Sequence, residues 1–330
     1  MIAVIGAGVA GTACARALFD AGLDVAVFDQ GRAAGGRAAA LRAPTGIRYD
    51  HGAQFFTAKT PEFQAQVEQW LARGVISPWN ARFADLDGGL VALRSARDEP
   101  RRYVGVPGMD SVAFDLLGAV DFRPGVAVSG VWGEPGAWTI EDSRGAALGV
   151  FDAVVSATPA PQTAQLLRQA APALAERSGG VPMTACWAVL TAFREPLELP
   201  YDAAFVSGGP LSWIARDSSK PGRETDLDAW VLHASPKWSE EHVDAPAADI
   251  MRLLLTAFGE RTGLGAPTPR EAWAHRWRYA TPPQPLPQAC LLDADLRVGA
   301  CGDWCGGPRV EGAWLSGVAL ARQMIEGLSA

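Results

Sequence analysis

Ile2-Ala3-Val4-Ile5-Gly6-Ala7-Gly8-Val9-Ala10-Gly11 opens the chain, and residues 12–29 complete the unit it begins. Four apolar residues in a row are enough for a buried strand and too few for a helix. Glycines at 6, 8 and 11 follow at once. Ala13, Ala17, Leu18 and Ala21 then recur at helical spacing, and Gly22 stands where a helix would stop. Val25-Ala26-Val27-Phe28 forms a second strand that ends in Asp29. A glycine triplet alone is weak, because glycine turns recur by chance. Strand, glycine turn, helix, strand and acid in one register are much more specific, and they predict a dinucleotide-binding unit of the Rossmann type.

Each part has a physical task. Gly6 permits the tight turn, Gly8 lets backbone approach a pyrophosphate, and Gly11 lets helix and strand pack closely. Val9 and Ala10 stand in the first helical turn, whose unpaired N–H groups and partial positive charge suit phosphate. Asp29, twenty-three residues after Gly6, is placed to accept ribose hydroxyls, with Gln30 beside it. A 2′-phosphate on that ribose would meet Asp29 as a like charge, which argues against NADP as the resident nucleotide.

Bulk composition narrows the partners. The chain has 330 residues, 48% hydrophobic and 20% charged, as in an ordered globular protein of two joined domains. A net charge of −7 argues against nucleic acid and anionic membrane as partners. The five cysteines are scattered and odd in number, so no disulfide framework is implied and a reducing cytoplasmic setting is expected. Cys301 and Cys305 lack a partner pair or histidine cluster, so no metal site is expected. The N-terminal apolar run has no basic region before it, and neither a signal peptide nor a membrane span is predicted.

Further along, residues 38–48 read as strand, turn and strand. Thr60-Pro61-Glu62 starts a helix striped by Phe63, Val67, Trp70 and Leu71. Short strands with a charged turn at Asp98-Glu99-Pro100 lead to a short helix at 109–117. Val126-Ala127-Val128, Trp138-Thr139-Ile140 and Val154-Val155 read as a meander returning to the nucleotide sheet. Runs at 184–193, 203–206, 211–216 and 229–235 predict an antiparallel sheet, and 240–262 a single helix. A proline-rich connector at 282–287 leads to a last strand at 296–300 and a closing helix at 310–328. The resulting fold class is α/β, a Rossmann-type domain with an inserted α+β substrate domain containing the antiparallel sheet. Residues 1–58, 101–160 and 289–330 are assigned to the first domain, and 59–100 and 161–288 to the second.

Three features go beyond a simple nicotinamide-binding fold. Gly35-Gly36-Arg37 supplies close backbone and a cation for a phosphate. Asp50-His51-Gly52-Ala53-Gln54-Phe55-Phe56 offers small residues and an amide against which a flat ring system can lie. Gly302-Asp303 followed by Glu311-Gly312-Ala313 provides a second turn and acid at a helix start. Together these motifs resemble the FAD-dependent amine-oxidase superfamily. The stretches Tyr103-Val104-Gly105-Val106-Pro107-Gly108-Met109, Ser212-Trp213-Ile214-Ala215-Arg216, Ser219-Lys220-Pro221-Gly222-Arg223, His275-Arg276-Trp277-Arg278-Tyr279-Ala280 and Val310-Glu311-Gly312-Ala313-Trp314 resemble its bacterial renalase-like flavoproteins. This resemblance runs over nearly the whole chain. It implies non-covalent FAD, with Val126 added to the cofactor contacts. It also implies hydride transfer from 2- and 6-dihydronicotinamide isomers of NAD(P)H, with oxygen reoxidising the flavin to give hydrogen peroxide. His51 stands where a neutral residue such as Met is expected.

Candidates for the substrate pocket are Trp213, Trp230, Trp277 and Tyr279 as ring walls, Arg216 and Arg276 for a pyrophosphate, and His233. Core packing and surface ion pairs are the competing explanations for each. An amine oxidase is the first alternative; in that superfamily a lysine often sits near the flavin, and only Lys59, Lys220 and Lys237 are available. A flavin-binding redox module without catalysis of its own is the second.

Overall fold

The computed structural model describes residues 1–95, 100–223, 226–265 and 267–329. Asp98 and Glu99 of the expected charged turn lie outside the described residues. Six strands form one mixed sheet in the order Leu291–Asp293, Val298–Ala300, Ala153–Ser156, Ile2–Ile5, Val25–Asp29, Asp121–Pro124. All neighbours run parallel except the Leu291–Asp293 edge. Ile2–Ile5 lies in the middle and is buried throughout, which is why its sequence is continuously apolar rather than alternating.

The helix Val9–Asp20 follows the glycine turn, and the closing helix Arg309–Ser329 packs across it. Two glycines make these approaches. A Cβ on Gly11 would lie 1.9 Å from the Gly6 carbonyl oxygen, and one on Gly317 would lie 2.1 Å from the Ala10 carbonyl oxygen. No side chain larger than hydrogen fits either crossing.

Seven strands form the second sheet, in the order Glu271–Thr281, Thr184–Phe193, Asp228–Ala234, Leu211–Arg216, Ala203–Ser207, Phe83–Asp87, Leu90–Leu93. Only Ala203–Ser207 and Phe83–Asp87 pair in parallel. The fold is therefore the expected α/β arrangement with an antiparallel sheet. One face of this sheet packs through Trp187, Val189, Trp230 and Leu232 onto Ile250, Leu254 and Phe258 of a helix. That helix runs Ala247–Thr262 and is preceded by a separate short one, Pro236–Glu241. The single helix expected over 240–262 is thus divided. Pro246 has no N–H for a preceding carbonyl and holds extended backbone at ψ 135°, so the chain restarts there.

A separate three-stranded sheet, Val128–Glu134, Ala137–Asp142 and Ala147–Phe151, lies beside the nucleotide sheet. The first of its strands begins at Val128, later than the expected Val126. The Val126 N–H instead donates to the Asp29 carbonyl at 2.8 Å, which ties it to the end of the nucleotide sheet. Two short helices, Ala160–Leu166 and Pro172–Gly179, were not anticipated. Among the described residues no helix is long and apolar enough to cross a membrane.

Candidate active site

A cavity of about 1260 Å³ is walled by residues of both large sheets. That exceeds the roughly 300–1,000 Å³ of an ordinary small-molecule pocket, and suits an extended dinucleotide with a second ligand. At one end lies the glycine turn. Gly8 caps the helix without any side-chain hydrogen bond, and Gly8, Val9 and Ala10 line the cavity, so the first-turn amides are left for an anion. Gly36 rests on Gly8; a Cβ there would sit 3.1 Å from the Gly8 Cα. Gly35 donates to the Ala7 carbonyl at 2.9 Å, which fixes this second glycine loop over the first.

Asp29 lines the same end with Gln30. Its Oδ2 accepts from the Ala7 N–H at 2.6 Å and its Oδ1 from the Gly31 N–H at 2.7 Å. Burial raises its pKa, and those two backbone N–H groups work in the opposite direction. Each oxygen keeps a lone pair for a ribose hydroxyl. The uncapped amides, the glycine-on-glycine contact and this acid fit the adenine-side half of FAD.

In the middle of the cavity Arg37 and Asp303 meet. The guanidinium donates to Oδ1 at 2.7 Å and Oδ2 at 3.0 Å, and again to the Ala280 carbonyl at 3.0 Å. Two residues predicted separately for the cofactor therefore form one bidentate clasp between the second glycine loop and the C-terminal turn. Gly52 packs under it, since a Cβ there would fall 2.0 Å from the Arg37 carbonyl oxygen. Ala53, Gln54, Phe55, Gly302 and Ala313 also face the cavity.

Four predicted cofactor residues serve from behind the wall. Glu311 accepts from the Thr60 N–H at 2.7 Å and hydroxyl at 2.8 Å, at the start of the helix Pro61–Ala72. Gly312 is pressed on Gly307, whose carbonyl oxygen a Cβ would approach to 1.9 Å. Gly11 packs on Gly6, as described above. Phe56 belongs to an aromatic cluster with Phe63 and Trp70.

At the far end, strand alternation decides which side chains reach the cavity. Trp213, His233, His275, Trp277 and Tyr279 line it. Arg216 and Trp230 stand three residues from Trp213 and His233, an odd spacing that puts them on the opposite face. Trp230 donates Nε1–H to Asp228 at 2.9 Å and packs on Phe258, and Arg216 pairs with Asp228 at 3.3 Å. Neither reaches a substrate. Arg276 is at the rim, but its guanidinium is turned to Asp244 at 3.1 Å and lies over Trp187 on the helix side.

His275 belongs to the far wall and His51 packs against it from behind; the sequence-based expectations assigned neither a role. The His51 ring stacks on Trp277 at 4.8 Å and meets His275 edge-on at 4.6 Å. Its carbonyl accepts from Trp277 Nε1 at 2.9 Å and faces His233 Nε2 at 3.3 Å. Burial pushes His51 down to about 3 and His233 to about 4, and also lowers His275. These rings are therefore uncharged at neutral pH. The period-two pattern His275, Trp277, Tyr279 was a visible signal for His275.

Behind this wall lies a buried ion cluster. Lys220 donates to Asp217 at 2.6 Å, Asp50 at 3.0 Å and Gln54 at 3.3 Å. Arg223 also binds Asp50 and the Gly105 carbonyl. Burial opposes the charge on Asp50, but Lys220 and Arg223 outweigh it and hold that carboxyl below the usual range. At Asp217 burial prevails and the pKa is raised. Among the described residues lining the cavity there is no lysine.

The description "NAD(P)-binding Rossmann-like domain" belongs to the sequence family that matches residues 4–73. Among solved structures, the chain superposes on a protein from Exiguobacterium sp. 255-15 assigned as a protoporphyrinogen oxidase, with TM-score 0.77 and 14% identity, covering 100% of this chain and 99% of that one. Cyclohexylamine oxidase from Brevibacterium oxydans IH-35A gives 0.75 at 14% identity over 100% and 99%. Putrescine oxidase bound to putrescine gives 0.70 at 13% identity over 98% of each chain. The fold is shared with these oxidases. At such identities the likeness extends to architecture and not to substrate.

Proposed function

We propose that this chain is an oxidoreductase with non-covalently held FAD that oxidises 2- and 6-dihydronicotinamide isomers of NAD(P)H to NAD(P)+. Oxygen is the final electron acceptor and becomes hydrogen peroxide. One observation carries the reading: the cavity end away from the glycine turn is walled by flat, uncharged rings, with Arg276 and Arg278 engaged by Asp244 and no lysine among the described lining residues. The architecture shared with three oxidases agrees with the redox part.

Bound FAD supplies the hydride acceptor. The residues of the chain supply alignment. The first-turn amides and Asp29 hold the nucleotide half, and Gly52 to Phe55 back the ring system. Trp277, fixed through Nε1 to the His51 carbonyl, and Trp213 form walls that keep a flat donor face-on and exclude water. A hydride leaves without a proton, so no strong base is needed. Three histidines held neutral agree with that.

Amine oxidation is the second reading, favoured by the fold shared with putrescine and cyclohexylamine oxidases. Anaerobic mixing separates the two. Bleaching of the flavin by 6-dihydroNAD, with none by simple amines, is the expected result; bleaching by amines alone reverses the assignment. A yellow protein that neither donor reduces is a redox-binding module. Release of all yellow colour on denaturation checks non-covalent attachment.

A further inference from the structure

Trp213 and His233 face each other directly on neighbouring antiparallel strands, and both line the cavity. The register slips beside them, between the Leu211–Ala234 and Trp213–His233 pairs, so Ser212 is the extra residue of a bulge. The Ser212 hydroxyl ties it down by donating to the Ala234 carbonyl at 3.0 Å. Bulges of this kind re-aim a neighbouring side chain.

The two side chains carry complementary unused valences. Trp213 is 6% exposed, yet its Nε1–H has no acceptor among the described residues. A buried indole N–H is costly to leave unpaired, and a ligand oxygen would relieve it. His233 directs Nε2 at the His51 carbonyl, 3.3 Å away. A carbonyl only accepts, so the proton of the neutral ring is on Nε2 and the Nδ1 lone pair is an acceptor. No group among the described residues donates to it.

We infer that Trp213 and His233 together read a primary carboxamide on the substrate ring, Trp213 Nε1–H donating to its oxygen and His233 Nδ1 accepting from its NH₂. This rests on the proposed reading of a dihydronicotinamide substrate and names the group by which that ring is recognised. A protonated amine offers donors only and leaves Trp213 unpaired. A ketone offers an acceptor only and leaves His233 unpaired. A carboxamide carries both on one carbon.

The test uses the FAD-loaded protein and two matched ligand pairs, NAD+ against its 3-acetylpyridine analogue and benzamide against acetophenone. Binding is read from the visible flavin difference spectrum. The carboxamide member of each pair is expected to bind about ten-fold more tightly. His233→Phe should abolish that preference, and Trp213→Phe should weaken both members alike and keep the ratio. A wild-type ratio within about two-fold in both pairs, or one that His233→Phe leaves unchanged, overturns the inference. The wild-type ratio needs no variant, so a variant that loses its flavin does not obscure the answer. Anaerobic reduction by 6-dihydroNAD is measured in parallel. Reduction without carboxamide preference defeats this inference alone, and preference without reduction defeats only the substrate reading.

Discussion

Lys220 is one of three lysines in the chain, and its ammonium is enclosed with Asp50 and Asp217. Removing one partner of such a group leaves uncompensated charge in the interior. Lys220→Met is therefore expected to lower unfolding stability by about 3–5 kcal/mol in urea titration. A lysine serving at the flavin would instead lose turnover with stability intact. Trp277 sits at the opposite extreme, since its ring wall is part of the site. Trp277→Ala should slow anaerobic flavin reduction about ten-fold or more while FAD stays bound. Unchanged reduction would remove Trp277 from the site. The cavity-lining Gly6, Gly8 and Asp29 were legible from sequence because glycine and acid positions there follow one chain-local pattern. The pairing of Arg37 with Asp303 was not, because 266 positions separate them and only the fold brings them together.

Period-two alternation sorted the pocket candidates, and it is a property of strands rather than of single residues. Trp213 with Arg216, and Trp230 with His233, are odd spacings on strands that the sequence did predict. Applying the alternation would have separated each pair in advance. What the pattern does not reveal is which face meets the nucleotide, since both faces of this sheet are covered and both carry aromatic residues. The helix break at Pro246 was also visible in sequence, as a proline inside the stretch 240–262 expected to be one helix. Helix contacts yield a prediction with two signs. Gly317→Ala would drive a Cβ into the Ala10 carbonyl and should destabilise by about 1–3 kcal/mol and loosen FAD. Gly327→Ala, in the same helix with nothing within 4 Å, should stabilise by about 0.5–1 kcal/mol. Thermal melts of both variants, with flavin retention, check the pair.

At the scale of the whole molecule, neutral buried histidines set a pH response. Unfolded histidine titrates near 6.5, whereas His51 and His233 resist protonation down to about 3 and about 4. Below about pH 6.5 the unfolded chain takes up protons that the folded one refuses, so stability falls as pH drops. The slope reaches about 1.4 kcal/mol per pH unit for each ring. Urea midpoints should decline between about pH 7 and 5, and His51→Phe should flatten that decline. The order of strands has a different consequence, one for synthesis. Ile2–Ile5 is made well before part of its own sheet, which takes a strand from 153–156 and another from 298–300. Until residues 153–156 are made, Ile2–Ile5 has only Val25–Asp29 beside it and its other edge is open. That interval favours holding by a chaperone, and any premature stop before the last strand leaves a sheet edge open to self-association.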